Sequence, residues 1–117
     1  MTKTLITETV LDYFEGWFDG DVERMDRALH PDLVKRWAGE EQGAPLPSVT
    51  TKDRMLALTA RGEGRKDGID RTLEVEVEDV CEDIASVTVR SAVYREYVHL
   101  VRTRDGWKIV NAFWRYS

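Results

Sequence analysis

A change of hydrophobic period near residue 70 constrains this chain more than any other feature. Leu73, Val75 and Val77 alternate with Glu74, Glu76 and Glu78, the period of two expected of a strand with one apolar face. Ala85, Val87 and Val89 repeat the pattern, and Tyr97–Arg102 and Trp107–Trp114 read as two further strands. Before this point the period is helical. Ile6, Val10, Tyr13, Phe14 and Trp17 recur at spacings of three and four, which predicts a helix over Thr4–Asp19 with Leu5 and Phe18 widening its apolar face. Gly20 supplies its stop, and Asp21 the N-cap of a second helix carrying Met25, Ala28 and Leu29.

Pro31 ends that second helix, because the residue before a proline is pushed out of the helical region. His30, beside it, is read as a cap on the terminal carbonyls. A short strand follows over Asp32–Ala38, with Leu33 and Trp37, and then a loop over Gly39–Ser48 rich in Gly and Pro. Thr50 with Asp53 resembles a capping box for a third helix, whose buried side is Met55, Leu56, Leu58 and Thr59; Gly62 and Gly64 end it. Helices in the first half and strands in the second indicate an α+β fold. The expected architecture is three helices on the concave face of a curved, mainly antiparallel sheet, leaving a cone-shaped pocket, in a single domain over residues 1–117.

Charge and composition exclude several function classes. The 117 residues carry a net charge of −5, which repels a phosphate backbone and argues against nucleic-acid binding. The most basic stretch, Arg61–Arg71, is diluted by Glu63, Asp67 and Asp70 and reads as a solvated loop. With 42 % hydrophobic and 33 % charged residues the chain has the composition of a folded domain, not of a disordered one. No apolar run is long enough to span a bilayer, and Met1–Val10 lacks the pattern of a signal peptide, so a cytoplasmic location is expected. Cys81 is the single cysteine and is expected as a buried or half-buried thiol. Two distant histidines and scattered carboxylates give no metal-ligand spacing, so no metal and no cofactor are expected.

At this point the motifs suggest a family. Phe14-Glu15-Gly16-Trp17-Phe18-Asp19-Gly20-Asp21 followed by Leu29-His30-Pro31-Asp32 resembles the NTF2-like superfamily, where two helices lead into such a turn. Glu96-Tyr97-Val98-His99-Leu100 and Asp105-Gly106-Trp107-Lys108-Ile109-Val110-Asn111 resemble one branch more closely, the "putative lumazine-binding" (SnoaL-like) proteins. Their usual pattern is Asp-Tyr-Leu-Ser-Leu, then Gly-x-Trp-Lys-Ile-Val-Asn. Glu96 stands here in place of that Asp, and His99 in place of that Ser. The resemblance implies the cone fold and pairing of two copies through their sheets.

Candidate site residues follow from the last hairpin and the first helix. With Arg104-Asp105-Gly106 as a three-residue loop, Val101 lies opposite Ile109, His99 opposite Asn111 and Tyr97 opposite Phe113, all on one face. A two-residue loop slips the register by one. The apolar members of that row suggest that it faces the cone, putting His99 and Asn111 within an aromatic wall. There they either satisfy each other or await a ligand. Tyr13 and Trp17, four apart on the first helix, point the same way. In steroid isomerases similar to this family a helix-one tyrosine donates to an oxyanion and a nearby carboxylate moves the proton. Tyr13 suits the first role, while Asp32 and Asp53 are already taken by turn and cap.

The expected pocket is therefore Tyr13, Trp17, Trp37, His99, Asn111 and Phe113, with His99 and Tyr13 as the candidate acid/base and hydrogen-bonding groups. It suits a small apolar or aromatic ligand, the foremost reading being a small-molecule-binding domain. A cofactor-independent isomerase or dehydratase using His99, and an interaction domain with a filled cone, are the other two readings. The complementary row, Val98, Leu100, Val110, Ala112 and Trp114, is expected on the outer face, as the seam of a homodimer.

Overall fold

In the computed structural model, which describes Met1–Ser117, the elements follow the change of period: α1 (Thr2–Asp19), α2 (Val22–Ala28), β1 (Leu29–Trp37), α3 (Lys52–Ala60), β2 (Leu73–Cys81), β3 (Ile84–Ser91), β4 (Tyr94–Thr103) and β5 (Gly106–Tyr116). Gly20 closes α1 in the left-handed conformation at φ 68°, returning its N–H to the carbonyls of Gly16 and Trp17. The Asp21 side chain caps α2 by accepting from Arg24 N at 3.2 Å. The cap of α3 is Thr51, one residue after the expected Thr50, and accepts from Arg54 N at 3.2 Å.

The strands form one sheet in the order β1-β5-β4-β3-β2. β2 to β5 are antiparallel neighbours, whereas β1 runs parallel to β5, so the sheet is mixed. The core lies between the helices and the concave face, where Ile6, Val10 and Phe14 of α1 join Val87, Val89, Val98, Leu100 and Ile109 of the sheet.

Four expectations need correction. β1 begins at Leu29, so His30 lies in a strand and caps no helix; its Nδ1 accepts from Asp32 N at 3.0 Å. Leu5, placed on the buried face of α1, is exposed. Cys81, at the end of β2, is exposed as well.

The fourth concerns the faces of the last hairpin. Its loop has two residues, Arg104 and Asp105, and Thr103 pairs with Gly106. A bulge at Val110 then shifts the register, restoring the pairs His99↔Asn111 and Tyr97↔Phe113. The bulge also interrupts the alternation. Trp107 and Ile109 face the core, as do Ala112 and Trp114 beyond it, while Asn111 and Phe113 face out. Val98, Leu100 and Ala112, expected on the outer face, are therefore core residues, at most 5 % exposed. Trp114 stacks on Trp37 on the concave side, and Val110 is half-buried at the bulge.

Candidate functional site

The helices cover the concave face incompletely. A cavity of about 310 Å³ remains at the end where α1 and α3 meet β1, β4 and β5. Its walls are aromatic: Tyr13, Phe14 and Trp17 from α1, Tyr94 from β4, and Trp114 and Tyr116 from β5. Leu58 of α3 and Glu63 and Lys66 of the following loop line it as well. That loop is fitted closely to the wall. A Cβ on Gly64 would lie 2.4 Å from the Trp17 carbonyl oxygen and 2.6 Å from its ring, a contact only glycine permits.

Strand alternation brings two charges into this apolar setting. On β1, Leu33, Lys35 and Trp37 share the concave side; on β4, Tyr94, Glu96, Val98 and Leu100 do. The Glu96 side chain is 3 % exposed and that of Lys35 12 %. Tyr13 joins them. Its hydroxyl donates to Glu96 Oε2 at 2.6 Å and accepts from Lys35 Nζ, which lies 4.0 Å from the same carboxylate oxygen. The Lys35 ammonium also sits over the rings of Tyr13, Trp17 and Trp114, at 4.9, 5.9 and 5.4 Å from their centroids. Trp17 Nε1 donates to Tyr94 Oη at 3.2 Å and ties the upper wall together.

Burial sets the electrostatics of the three groups. It pushes the Glu96 carboxyl above its ordinary value, against the opposing pull of Lys35 and the Tyr13 hydrogen bond. It lowers Lys35, which the charge of Glu96 only partly offsets. Tyr13 rises well above 10, first through burial and then through the adjoining carboxylate. Both shifts in the acid–base pair thus favour the uncharged forms.

The expected site residues divide between the two faces of the sheet. Tyr13 and Trp17 line the cavity, and Trp37 stacks on its wall residue Trp114 at 5.9 Å between ring centroids. His99, Asn111 and Phe113 are exposed on the opposite face, where Asn111 Nδ2 and His99 Nδ1 are 3.4 Å apart. They border two more open depressions, about 410 and 440 Å³, walled by strand surface and exposed side chains. Lys35, Tyr94, Glu96 and Tyr116 were not assigned to the site from sequence, although Glu96 was noted as a departure from the family pattern. The available signal was a lone charge in an otherwise apolar alternating row, once on each of two strands and with opposite signs. No group of three or more His, Cys, Asp or Glu side chains is arranged to hold a metal ion, and no helix is long and apolar enough to cross a membrane.

Three helices packed on one face of a five-stranded mixed sheet make the α+β fold of NTF2-like proteins, and solved structures agree. An NTF2-like protein of unknown function from Silicibacter pomeroyi DSS-3 superposes with a TM-score of 0.73 at 17 % identity, over 100 % of both chains. An NTF2-like protein from Cytophaga hutchinsonii gives 0.72 at 15 % identity, over 100 % of this chain and 99 % of the other. A ketosteroid isomerase-like protein from Erwinia carotovora atroseptica gives 0.64 at 16 % identity, over 97 % and 94 %. At these identities the likeness is one of fold. No curated protein matches the chain. The model of the family described as "Putative lumazine-binding" matches residues 1–115, and the chain belongs to that family.

Proposed function

We propose that this chain is a small-molecule-binding domain whose ligand occupies the concave cavity. A flat, unsaturated body would lie against Trp17, Tyr94, Trp114 and Tyr116, with a polar end on Lys35, Tyr13 and Glu96. The carrying observation is the buried Lys35–Tyr13–Glu96 chain within an aromatic cavity large enough for a small ligand. Desolvating two opposite charges costs several kcal/mol per ion, and apolar residues often serve stability as well or better. Their retention beside a cavity supports a role in recognition. Calorimetry with flat heteroaromatic fragments selected by thermal shift tests the reading. A bound fragment should lose at least ~tenfold in affinity, about 1.4 kcal/mol, in Lys35→Met and Glu96→Gln. Unchanged affinity in both variants would remove the basis of the assignment.

A second reading, a cofactor-independent isomerase or dehydratase, is favoured by the 2.6 Å contact between Tyr13 and Glu96. It provides the carboxylate beside a helix-one tyrosine that such proton transfer requires, so the candidate acid/base group becomes Glu96 instead of His99. Retention of solvent deuterium in a bound ketone, lost in Glu96→Gln, is its signature.

We also propose a homodimer through the outer face, with a revised set of residues. Ile84, Tyr97 and Phe113 are each at least 45 % exposed there, near half-buried Val101 and Val110. An apolar patch of this kind marks interfaces. Light scattering should give twice 13.5 kDa, reduced to the monomer by Phe113→Glu. A wild-type mass of 13.5 kDa would defeat the idea.

A further inference from the structure

The chain has five lysines, Lys3, Lys35, Lys52, Lys66 and Lys108, and one differs from the rest in its surroundings. Lys3 and Lys66 are exposed. Lys52 pairs with Asp26 at 3.0 Å and donates to the Leu29 carbonyl, and Lys108 donates to the Arg27 carbonyl. Lys66 lies at the cavity's exposed loop wall, whereas Lys35 has its amine against the aromatic rings, in line with a hydroxyl and a buried carboxylate. We propose that Lys35 is a carbonyl-reactive amine, and that the cavity takes a flat aldehyde or ketone as a reversible Schiff base on its Nζ. The proposal rests on the cavity being a ligand site.

The geometry supplies what imine formation needs. A lysine is nucleophilic only when neutral, and desolvation in an apolar pocket favours that form. Here one concerted shift accomplishes it: Lys35 passes a proton to the Tyr13 oxygen as Tyr13 passes its own to Glu96. A buried ion pair becomes a neutral amine and a neutral acid, the direction in which burial displaces both groups.

The Nζ lone pair then forms the N–C bond while the carbonyl π pair withdraws onto oxygen. That oxygen takes up a proton released by the nitrogen, and the product is a carbinolamine. Its hydroxyl leaves as water with the proton of Glu96, and the nitrogen lone pair closes the C=N bond. The products are water, a protonated imine and the Glu96 carboxylate, which is its counter-ion. No oxidant or further reactant is needed. The rings of Tyr13, Trp17 and Trp114, already grouped around the ammonium, offer their faces to the iminium cation.

Reductive trapping tests the assignment on the whole chain. 2-Naphthaldehyde with sodium cyanoborohydride should add a single group, which peptide mapping places on Lys35. Lys35→Arg should lower total labelling at least ~tenfold, and Glu96→Gln should slow it by about 10²-fold, the scale of lost general-acid catalysis. Calorimetry with 2-naphthylmethanol, which forms no imine, reports binding separately. Circular dichroism guards against an unfolded Lys35→Arg, in which case the wild-type map and the Glu96→Gln rate decide. Binding of the alcohol with aldehyde labelling confined to the Met1 α-amine, Lys3, Lys52, Lys66 and Lys108 overturns the Schiff-base proposal and leaves the binding site standing. Neither binding of the alcohol nor labelling of Lys35 overturns both.

Discussion

Replacing Lys35 by Met isolates the electrostatics of the cavity. Met keeps most of the length of the side chain and removes the cation beside Glu96, leaving that carboxylate, in a residue 2 % exposed, with the Tyr13 hydroxyl as its remaining partner. An isolated buried carboxylate takes up a proton instead of staying charged. At pH 7 the medium is 2.5 pH units above the ordinary glutamate value of 4.5 (7 − 4.5), so forced protonation costs at most about 3.4 kcal/mol. Removing the desolvated ammonium returns part of this, for an expected loss of roughly 2–3 kcal/mol and a fall in Tm of about 10 °C. The sign with pH is fixed. The folded-state carboxyl is raised, so the folded variant holds a proton that the unfolded chain releases above about pH 4.5. The deficit is therefore largest near neutrality and shrinks as pH falls toward 4.5. Urea unfolding followed by tryptophan fluorescence at pH 7 and pH 5 measures it. The double variant Lys35→Met, Glu96→Gln, with neither charge, should lie closer to the wild type than Lys35→Met does. A Lys35→Met protein with wild-type stability at pH 7, or with the same deficit at both pH values, refutes the coupling of these two groups.

Two other substitutions probe the walls and the outer face. Gly64→Ala forces its new methyl into the Trp17 carbonyl and ring, so it should cost about 1–3 kcal/mol in thermal melts and shift the tryptophan emission as Trp17 moves. His99→Ala alters an exposed side chain whose side-chain hydrogen-bond partner is Asn111, at 3.4 Å; stability should stay within about 0.5 kcal/mol and cavity binding within roughly twofold by calorimetry.

The order of elements was legible because local rules agreed with one another. The α1 stripe, the Asp21 cap and the Leu73–Glu78 alternation each point to one conformation without tertiary help. β1 was less legible: Pro31 suggested a boundary, but the strand runs through it along the sheet edge, where proline is tolerated and no β-ladder need accept its missing N–H. The site was half legible. Tyr13 and Trp17 follow from helical spacing, but the strand residues depended on which face of β4 and β5 is buried, and both faces carry large apolar side chains. Tyr97 and Phe113 on one side compete with Val98 and Leu100 on the other. The bulge at Val110 has no local sequence marker such as glycine. It reverses the face of every later residue relative to strict alternation, which carries Asn111 and Phe113 outward. Glu96 was not assigned to the site for a simple reason. A carboxylate in the inner row reads as solvent-facing until Lys35 and Tyr13, distant in sequence, are seen to meet it.

On the proposed function, ligands enter the concave cavity and not the outer face. An amide chemical-shift titration of the 15N-labelled protein with 2-naphthylmethanol separates the two surfaces in one experiment. Saturable changes are expected at Tyr13, Trp17, Lys35, Tyr94, Glu96 and Trp114, including the Trp17 indole signal. Changes concentrated at Ser86, His99, Asn111 and Phe113, with the cavity residues unmoved, would contradict it.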